Sequence, residues 1–181
     1  MNIIPGEIEG LWLIEPEIHG DNRGYFFESY HHDKFTEAIG FPISFVQDNE
    51  SLSAKGIVRG LHFQAPPFGQ SKLVRVVAGS VLDIALDIRK NSPTYGQYQL
   101  VELSATNKKQ FFIPEGFAHG FLTLEDNTIF QYKCSKYYNP QSEMGIYWND
   151  PDLCINWPKL AILSSEKDKK LPLFREFTTP Y

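Results

Sequence analysis

The sequence contains few cysteines, no long apolar run and no excess of basic residues. Cys134 and Cys154 are the only cysteines and lie far apart, so neither a disulfide framework nor a Cys-x-x-Cys zinc site is expected. No apolar run approaches the roughly 18 residues that span a bilayer, which excludes membrane insertion. Lys and Arg number 17 against 22 Asp and Glu, which argues against nucleic acid or an anionic membrane as a partner. A locally bound anionic ligand remains allowed.

The N-terminus also lacks a charged-then-apolar leader. Together with the low cysteine content, this favours a cytoplasmic location.

Long helical patterns are absent as well. The chain has 181 residues, of which 42% are hydrophobic, and shows no repeat or linker, so we expect one domain over residues 1–181. Its 13 Gly and 12 Pro separate short segments rich in Val, Ile, Phe and Tyr, which is typical of strands. The predicted strands are 11–14, 24–30, 44–51, 57–63, 72–77, 81–88, 98–103, 111–113, 121–124, 128–134 and 145–148.

Helix is predicted only in short pieces. One helix is expected over 33–39, capped by Asp33 and ended by Gly40, and a helical turn within 164–170. Many short strands with so little helix predict an all-β jelly-roll β-barrel, a fold that encloses a cavity. In the strand 81–88 apolar residues alternate with Asp83 and Asp87, so this acidic face meets either water or a polar interior.

Two histidines stand in apolar strands: His62 within 56–64 and His119 within 113–121. Pro114-Glu115-Gly116 followed by His119 resembles the second motif of the cupin superfamily, whose members are small β-barrels. Metal-binding cupins supply His-x-His and a nearby Glu from their first motif. The matching stretch here, His62-Phe63-Gln64, has no second histidine, so no metal is expected. A metal-dependent cupin enzyme using His62 and His119 remains an alternative, as does a non-catalytic carbohydrate-binding jelly roll.

Without a metal, such a barrel has His62 and His119 as bases, Lys72 as a fixed cation and Tyr132 as an acid. These residue types suit proton transfer next to a carbonyl. Removing a proton α to a ketone is uphill by roughly ten pKa units for an imidazole. On the order of 14 kcal/mol must therefore come from stabilising the enolate oxygen and aligning the base.

Several motifs, in this order along the chain, together resemble the dTDP-4-dehydrorhamnose 3,5-epimerase family. They are Asp21-x-Arg23-Gly24-x-Phe26-x-Glu28, Gln47-Asp48-Asn49, Arg59-Gly60-Leu61-His62-Phe63-Gln64, Gln70-x-Lys72-Leu73-Val74-Arg75, Asp87-Ile88-Arg89, Ser92-Pro93-Thr94, the run 113–121, Tyr132 and Tyr137-Tyr138. The resemblance implies a cupin-type barrel that inverts C3 and C5 of a dTDP-linked 4-keto-6-deoxyhexose without a cofactor. Related enzymes with similar motifs epimerise one carbon only, so a mono-epimerase remains an alternative.

The resemblance also implies roles for individual residues. His62 would be the general base with Asp168 as its partner, Tyr132 the general acid on the opposite face, and Lys72 the cation near the enolate oxygen. Tyr138 would stack on thymine. The remaining implied substrate-binding residues are Arg23, Glu28, Gln47, Asn49, Arg59, His119 and Glu143. We add one expectation of our own, that Asp83 fixes the tautomer of His119.

Several of these residues also have an ordinary structural explanation. A lone histidine in a strand is commonly a satisfied core residue, and Tyr132 would be an ordinary half-buried strand tyrosine. Lys72 and Arg23 would be solvent-exposed, and Tyr137-Tyr138 would pack a strand end. The family resemblance further implies a homodimer in which one subunit lends N-terminal residues to the site of the other.

Overall fold

The computed structural model describes all residues from Met1 to Tyr181, and its main feature is two antiparallel sheets that face each other. The strands are β1 Asn2–Pro5, β2 Trp12–Glu15, β3 His19–Asp21, β4 Gly24–Phe26, β5 Gln47–Ser53, β6 Val58–Gln64, β7 Lys72–Ala78, β8 Ser80–Asp87, β9 Tyr98–Ser104, β10 Gln110–Ile113, β11 Phe117–Thr123, β12 Thr128–Cys134 and β13 Glu143–Gly145. The first sheet has the order β1-β2-β10-β7-β12-β5, and the second β13-β6-β11-β8-β9. The prediction of an all-β fold is confirmed.

The main core lies between the two sheets. It contains inward-facing residues of both, including Val76 and Phe130 of the first sheet and Val81, Ala85 and Phe121 of the second. Burying an apolar side chain as large as valine or phenylalanine contributes about 1.5–3 kcal/mol, so these strands form a rigid scaffold. A second cluster lies on the other side of the second sheet, where Ile84 and Leu86 pack near Leu153 and Phe177 of the C-terminal region.

The acidic face of β8 points into the barrel, which resolves the choice left open by the sequence. Asp83 lies on the same side of β8 as the core residues Val81 and Ala85 and is 0% exposed. A carboxyl group at that depth needs a polar partner. The barrel interior therefore contains a polar site.

The predicted strand positions are right in outline but several bounds are wrong. Strand β4 ends at Phe26 rather than at residue 30, β11 begins four residues before the predicted start, and β13 ends at Gly145, where the predicted strand begins. The sequence reading missed β1 and β3. Both are only three or four residues long and their residues are partly or fully exposed, so they carry little of the β-branched and aromatic content on which the prediction depends.

The helix is correct in place but its cap is wrong. Helix α1 is His32–Ile39, with the His31 side chain accepting a hydrogen bond from the Lys34 N–H. Asp33 lies inside the first turn, where its charge favours the helix N-terminus. Gly40 ends the helix at φ 82°, as predicted. In the C-terminal region the expected helical turn is the short 3₁₀ turn Asp168–Lys170.

The site is positioned by strands from both sheets and by the C-terminal segment. On the second sheet His62 of β6 is paired with His119 of β11. Beside them Gly60 has φ 128°, and a Cβ there would lie 2.6 Å from the Gly120 Cα, so only glycine allows this close approach. Backbone hydrogen bonds from Val58 N to Leu163 O and from Leu163 N to Gly56 O, both 2.9 Å, hold the C-terminal segment against β6.

Two further expectations concern cysteine and membranes. Cys134 is a buried free thiol and Cys154 an exposed one. None of the helices combines the length and the apolar character needed to cross a bilayer.

Candidate active site

A cavity of about 520 Å³ opens between the sheets and is lined by all four predicted catalytic residues. It is lined by Ser51, Ile57, Val58, Arg59, His62, Lys72, His119, Phe121, Phe130, Tyr132, Leu163, Ser164, Ser165, Lys167 and Asp168. A smaller pocket of about 230 Å³ shares His62, Lys72 and Tyr132 with it. The further residues that line that pocket are Gln47, Asn49, Phe63, Gln64, Gln70, Tyr138 and Glu143. Together the two spaces have room for a ligand that is longer than a single sugar.

A third groove, on the outer face of the first sheet, is a weaker candidate. Its polar side chains bond to one another: Lys133 to Asp48 at 3.0 Å, Gln131 to Glu50 at 2.7 Å, and Arg75 to Gln131 at 3.4 Å. Of the predicted catalytic residues, only Tyr132 lines this groove. The groups suited to acid–base chemistry, those of His62, Lys72, Tyr132 and Asp168, line the interior cavity.

His62 and Asp168 form a hydrogen-bonded pair at the cavity wall. Nε2 of His62 lies 2.7 Å from Oδ1 of Asp168, which is 3% exposed. Burial works to raise the pKa of Asp168, but the hydrogen bond and charge of His62 outweigh it, so that pKa lies below its ordinary value. The carboxylate is therefore ionised at neutral pH. With Nε2–H donating to it, the lone pair of His62 is on Nδ1, which is free to act as a base.

Tyr132 lies in the same cavity on the opposite sheet, on the inward face of β12 with Phe130. Burial, with a smaller contribution from Cys134, raises the pKa of Tyr132, while Arg59 acts in the other direction. The phenol is therefore protonated at neutral pH. A protonated phenol facing an imidazole across a cavity is an acid placed opposite a base.

Lys72 completes this group at the start of β7. Its Nζ lies 6.0 Å from the centre of the Tyr132 ring. Burial lowers the pKa of Lys72, although the opposing influence of Cys134 and Asp83 limits the effect. The alternative of a solvent-exposed lysine is wrong. A partly desolvated ammonium is suited to stabilising negative charge that develops on a ligand oxygen.

The expected pairing of His119 with Asp83 is confirmed. His119 Nε2 lies 3.0 and 3.1 Å from the two carboxyl oxygens of Asp83. Burial raises the pKa of Asp83 and lowers that of His119, and each residue opposes the shift of the other. Because Nε2 is held by Asp83, the orientation of the imidazole is fixed, and Nδ1 is the nitrogen left for a ligand.

Charged groups also line the rim. Arg59 is exposed and donates to Ser53 Oγ at 3.1 Å, and Lys167 Nζ lies 2.6 Å from Glu143 Oε2. Tyr138 donates its hydroxyl to the same oxygen at 2.6 Å. Burial works to raise the pKa of Glu143, but its bonds to Lys167 and Tyr138 lower it overall. The hydrogen bond to Glu143 raises the pKa of Tyr138.

Lys167 is the residue that the sequence analysis missed. It stands in the run 164–170, whose charges are also typical of a solvated face. Its position directly before Asp168 is the one signal that could have suggested it, since neighbours of a catalytic residue at a segment end commonly reach the same cavity.

Two predicted ligand residues lie outside the cavity within this chain. Arg23 is on the exposed β3–β4 hairpin, where its Nε is 3.1 Å from Asp21. Glu28 is partly exposed and pairs with Lys34 at 2.9 Å. The other predicted residues line one or both pockets.

The side chains of this protein form no cluster of metal ligands. No three His, Cys, Asp or Glu side chains come close enough together to hold a metal ion. His62 and His119 are neighbours across two strands, but each has one ring nitrogen engaged by a carboxylate.

Comparison with known proteins identifies the family of this chain. The sequence profile of the dTDP-4-dehydrorhamnose 3,5-epimerase family matches residues 5–176. The dTDP-4-dehydrorhamnose 3,5-epimerase of Escherichia coli (strain K12) is 50% identical over 172 residues, covering 94% of this chain and 93% of its own. The dTDP-4-dehydrorhamnose 3-epimerase of Streptomyces niveus is 41% identical over 176 residues, covering 97% of this chain and 85% of its own.

The fold agrees as well. A crystal structure of the Legionella pneumophila dTDP-6-deoxy-D-glucose-3,5-epimerase, in complex with dTDP-4-keto-L-rhamnose, superposes with a TM-score of 0.92 at 50% identity. The match covers 95% of this chain and 92% of that one. The prediction of a cupin-type jelly-roll β-barrel is confirmed. This chain belongs to the dTDP-4-dehydrorhamnose 3,5-epimerase family of isomerases.

Proposed function

We propose that this protein converts dTDP-4-dehydro-6-deoxy-D-glucose to dTDP-4-dehydro-L-rhamnose by inverting C3 and C5. The observation that carries the proposal is that one cavity contains a carboxylate-held imidazole, a protonated phenol and a partly buried ammonium, from His62, Tyr132 and Lys72. The chain's family membership supports the same reaction.

The reaction follows from this arrangement. Nδ1 of His62 accepts the proton next to the C4 ketone, and the electron pair of the broken C–H bond moves through C4 to the carbonyl oxygen. Lys72 stabilises the enolate oxygen, while Asp168 stabilises the imidazolium. Tyr132 then donates its proton to the carbon from the opposite face, the ketone forms again, and the configuration is inverted. Solvent restores the phenol and removes the proton from His62.

The free-energy requirement fits this set of groups. Proton abstraction needs on the order of 14 kcal/mol of assistance. Alignment of base and substrate contributes about 7–11 kcal/mol in favourable cases, and one preorganised group at a developing oxyanion about 3–4 kcal/mol. Side chains of the chain itself therefore reach the required magnitude, and the scheme uses no cofactor.

Binding of the nucleotide half is assigned to the smaller pocket and the rim. Arg59 and Lys167 are the cations available to a diphosphate. Tyr138 offers an aromatic surface for the pyrimidine, and the side chains of Gln47, Asn49 and Glu143 are polar contacts beside it. His119 contacts the sugar.

Arg23 and Glu28 are assigned to the site of a second subunit in a homodimer. The supporting observation is the hairpin that carries Arg23, on which Tyr25 is 60% and Phe26 70% exposed. Exposed aromatics of this size are typical of residues that another surface covers. In a dimer, an Arg23→Ala protein and a His62→Ala protein, each inactive, should regain activity when subunits are mixed.

We further propose that residues 1–181 act as one domain in the cytoplasm, where the product serves the synthesis of cell-surface polysaccharide. The free, exposed thiol of Cys154 is compatible with a reducing compartment.

The direct test is reaction in deuterated water with NMR of the sugar. We expect deuterium at both C3 and C5 of the product. Retention of both protons would refute the proposal. The likeness to the Streptomyces niveus 3-epimerase supports a second candidate, a single-carbon epimerase, and label at one carbon only would identify it.

A further inference from the structure

Segment 136–139, which follows β12, is held by side chains. Three glutamines supply its partners. Gln70 donates to Lys136 O at 2.7 Å, and Gln47 Oε1 accepts from Tyr138 N at 3.0 Å. Gln64 contacts both residues that flank Tyr138. The segment belongs to no strand or helix, so these side-chain amides, and not a sheet ladder, are the partners that position its backbone.

Gln64 is the central residue of this group. Its Oε1 accepts from Asn139 N at 2.7 Å, and its Nε2 donates to Phe68 O at 2.7 Å and to Tyr137 O at 3.4 Å. The side chain is 4% exposed. A carboxamide both donates and accepts, which neither a carboxylate nor an ammonium can do at this position.

These bonds hold the backbone of Tyr138 and of the two residues beside it, while Glu143 accepts a hydrogen bond from the Tyr138 hydroxyl. Asn139, positioned by Gln64, in turn caps the 3₁₀ turn Pro140–Ser142 by accepting from two backbone N–H groups. That turn leads directly into β13, whose first residue is Glu143. The ring of Tyr138 is therefore held at both ends although the residue is 52% exposed.

We propose that Gln64 is a positioning residue that holds Tyr138 as a preformed stacking surface for the nucleobase. The inference rests on the proposed function, because it assumes a nucleotide-linked substrate. An aromatic ring that is ordered before binding loses little conformational entropy when the ligand arrives. Gln64 thus contributes to nucleotide affinity and not to the proton transfers, even though it lies two residues from His62.

The test is Gln64→Leu, measured alone and together with Tyr138→Ala. We expect KM for the nucleotide sugar and Kd for dTDP to rise about tenfold, with kcat changed by less than about twofold, since base–aromatic stacking is strong enough to produce such a loss. In the Tyr138→Ala background, Gln64→Leu should change KM by less than about twofold, because the ring it positions is gone.

Gln99→Leu is the matched control. Gln99 is 8% exposed and its Oε1 accepts from Glu7 N at 2.8 Å, so its loss also removes a buried amide without touching segment 136–139. We expect KM to be unchanged in this variant.

The inference is overturned if Gln64→Leu leaves dTDP affinity unchanged, lowers kcat alone, or acts equally with and without Tyr138. Should Gln64→Leu fail to fold, Gln64→Glu keeps the volume and the acceptor for Asn139 N–H but loses both donors. It should still raise Kd for dTDP by about threefold or more, and a wild-type Kd would refute the inference. Failure of the proposed function is distinct, because it appears as absent solvent exchange in the wild-type enzyme.

Discussion

Replacing Asp168 with Asn tests the role of the His62–Asp168 pair. The substitution keeps the size of the side chain and removes its charge. The two residues are joined by a 2.7 Å hydrogen bond, and Asp168 is 3% exposed. A hydrogen bond with a charged partner contributes about 1.5–3 kcal/mol. This bond should strengthen as His62 takes up a proton, because the imidazolium then faces a carboxylate.

The expected rate follows from that energy. If 1.5–3 kcal/mol is lost mainly in the transition state, kcat should fall by about 10–150-fold. KM should change little, because Asp168 is expected to act through His62 and not on the substrate. The assay is deuterium exchange at C3 and C5 under saturating substrate, with the initial rate followed by NMR.

Asp150→Asn is the control for a purely structural loss. Asp150 is also 3% exposed, but it accepts only from backbone N–H groups, those of Asp152, Leu153 and Phe174. We expect a lower Tm and an unchanged exchange rate. An Asp168→Asn enzyme that exchanges both protons at the wild-type rate would refute the reasoning.

Three further predictions address the acid, the cation and a structural carboxylate. In deuterated water Tyr132→Phe should release mainly starting sugar that carries deuterium but is not inverted, because His62 can still return a hydrogen to the face from which it removed one. Equal losses in the rate of deuterium exchange and the rate of inversion would argue against the acid role of Tyr132. Lys72→Met should lower kcat by about 10²–10³-fold, measured by the same exchange assay, and a decrease below threefold would exclude Lys72 from enolate stabilisation. Asp87 is buried, and burial works to raise its pKa, but hydrogen bonds from Arg89 and from neighbouring hydroxyls lower the pKa overall. The stability that the Asp87 carboxylate contributes is therefore present above about pH 4, the ordinary pKa of an aspartate, and is lost as the pH falls through its lower native pKa. Asp87→Asn should lower the free energy of unfolding at pH 7 by about 3 kcal/mol, with the difference in Tm narrowing towards pH 2; a constant difference would contradict this.

Much of the fold could be predicted from the sequence because the inner strands are rich in β-branched and aromatic residues and lie between turn residues. Strand β12 agrees with its predicted bounds, since polar and apolar residues alternate from Phe130 to Cys134 and the strand lies between Asn127 and the turn after it. Strands β1 and β3 could not be predicted in this way, because three or four largely exposed residues carry too little of this signal.

The site was only partly predictable for a different reason. His62 and Asp168 are separated by 106 positions, and periodicity and spacing cannot pair residues so distant; the family resemblance suggested the pair. The pairing of Asp83 with His119, 36 positions apart, was an expectation added beside that resemblance, because the alternation of strand 81–88 alone left open whether Asp83 meets water or a polar interior. Lys167 was missed because a lysine in a charged run has no feature that distinguishes a cavity rim from open solvent.

Exchange by the His62→Ala enzyme is the measurement that tests the central claim, that one imidazole removes both protons in a single cavity. The variant, mixed with dTDP-4-dehydro-6-deoxy-D-glucose in deuterated water, should still bind dTDP with an affinity close to that of the wild type. We predict that neither C3 nor C5 takes up deuterium. Label at either carbon at the wild-type rate would show that another base removes that proton and would contradict the account.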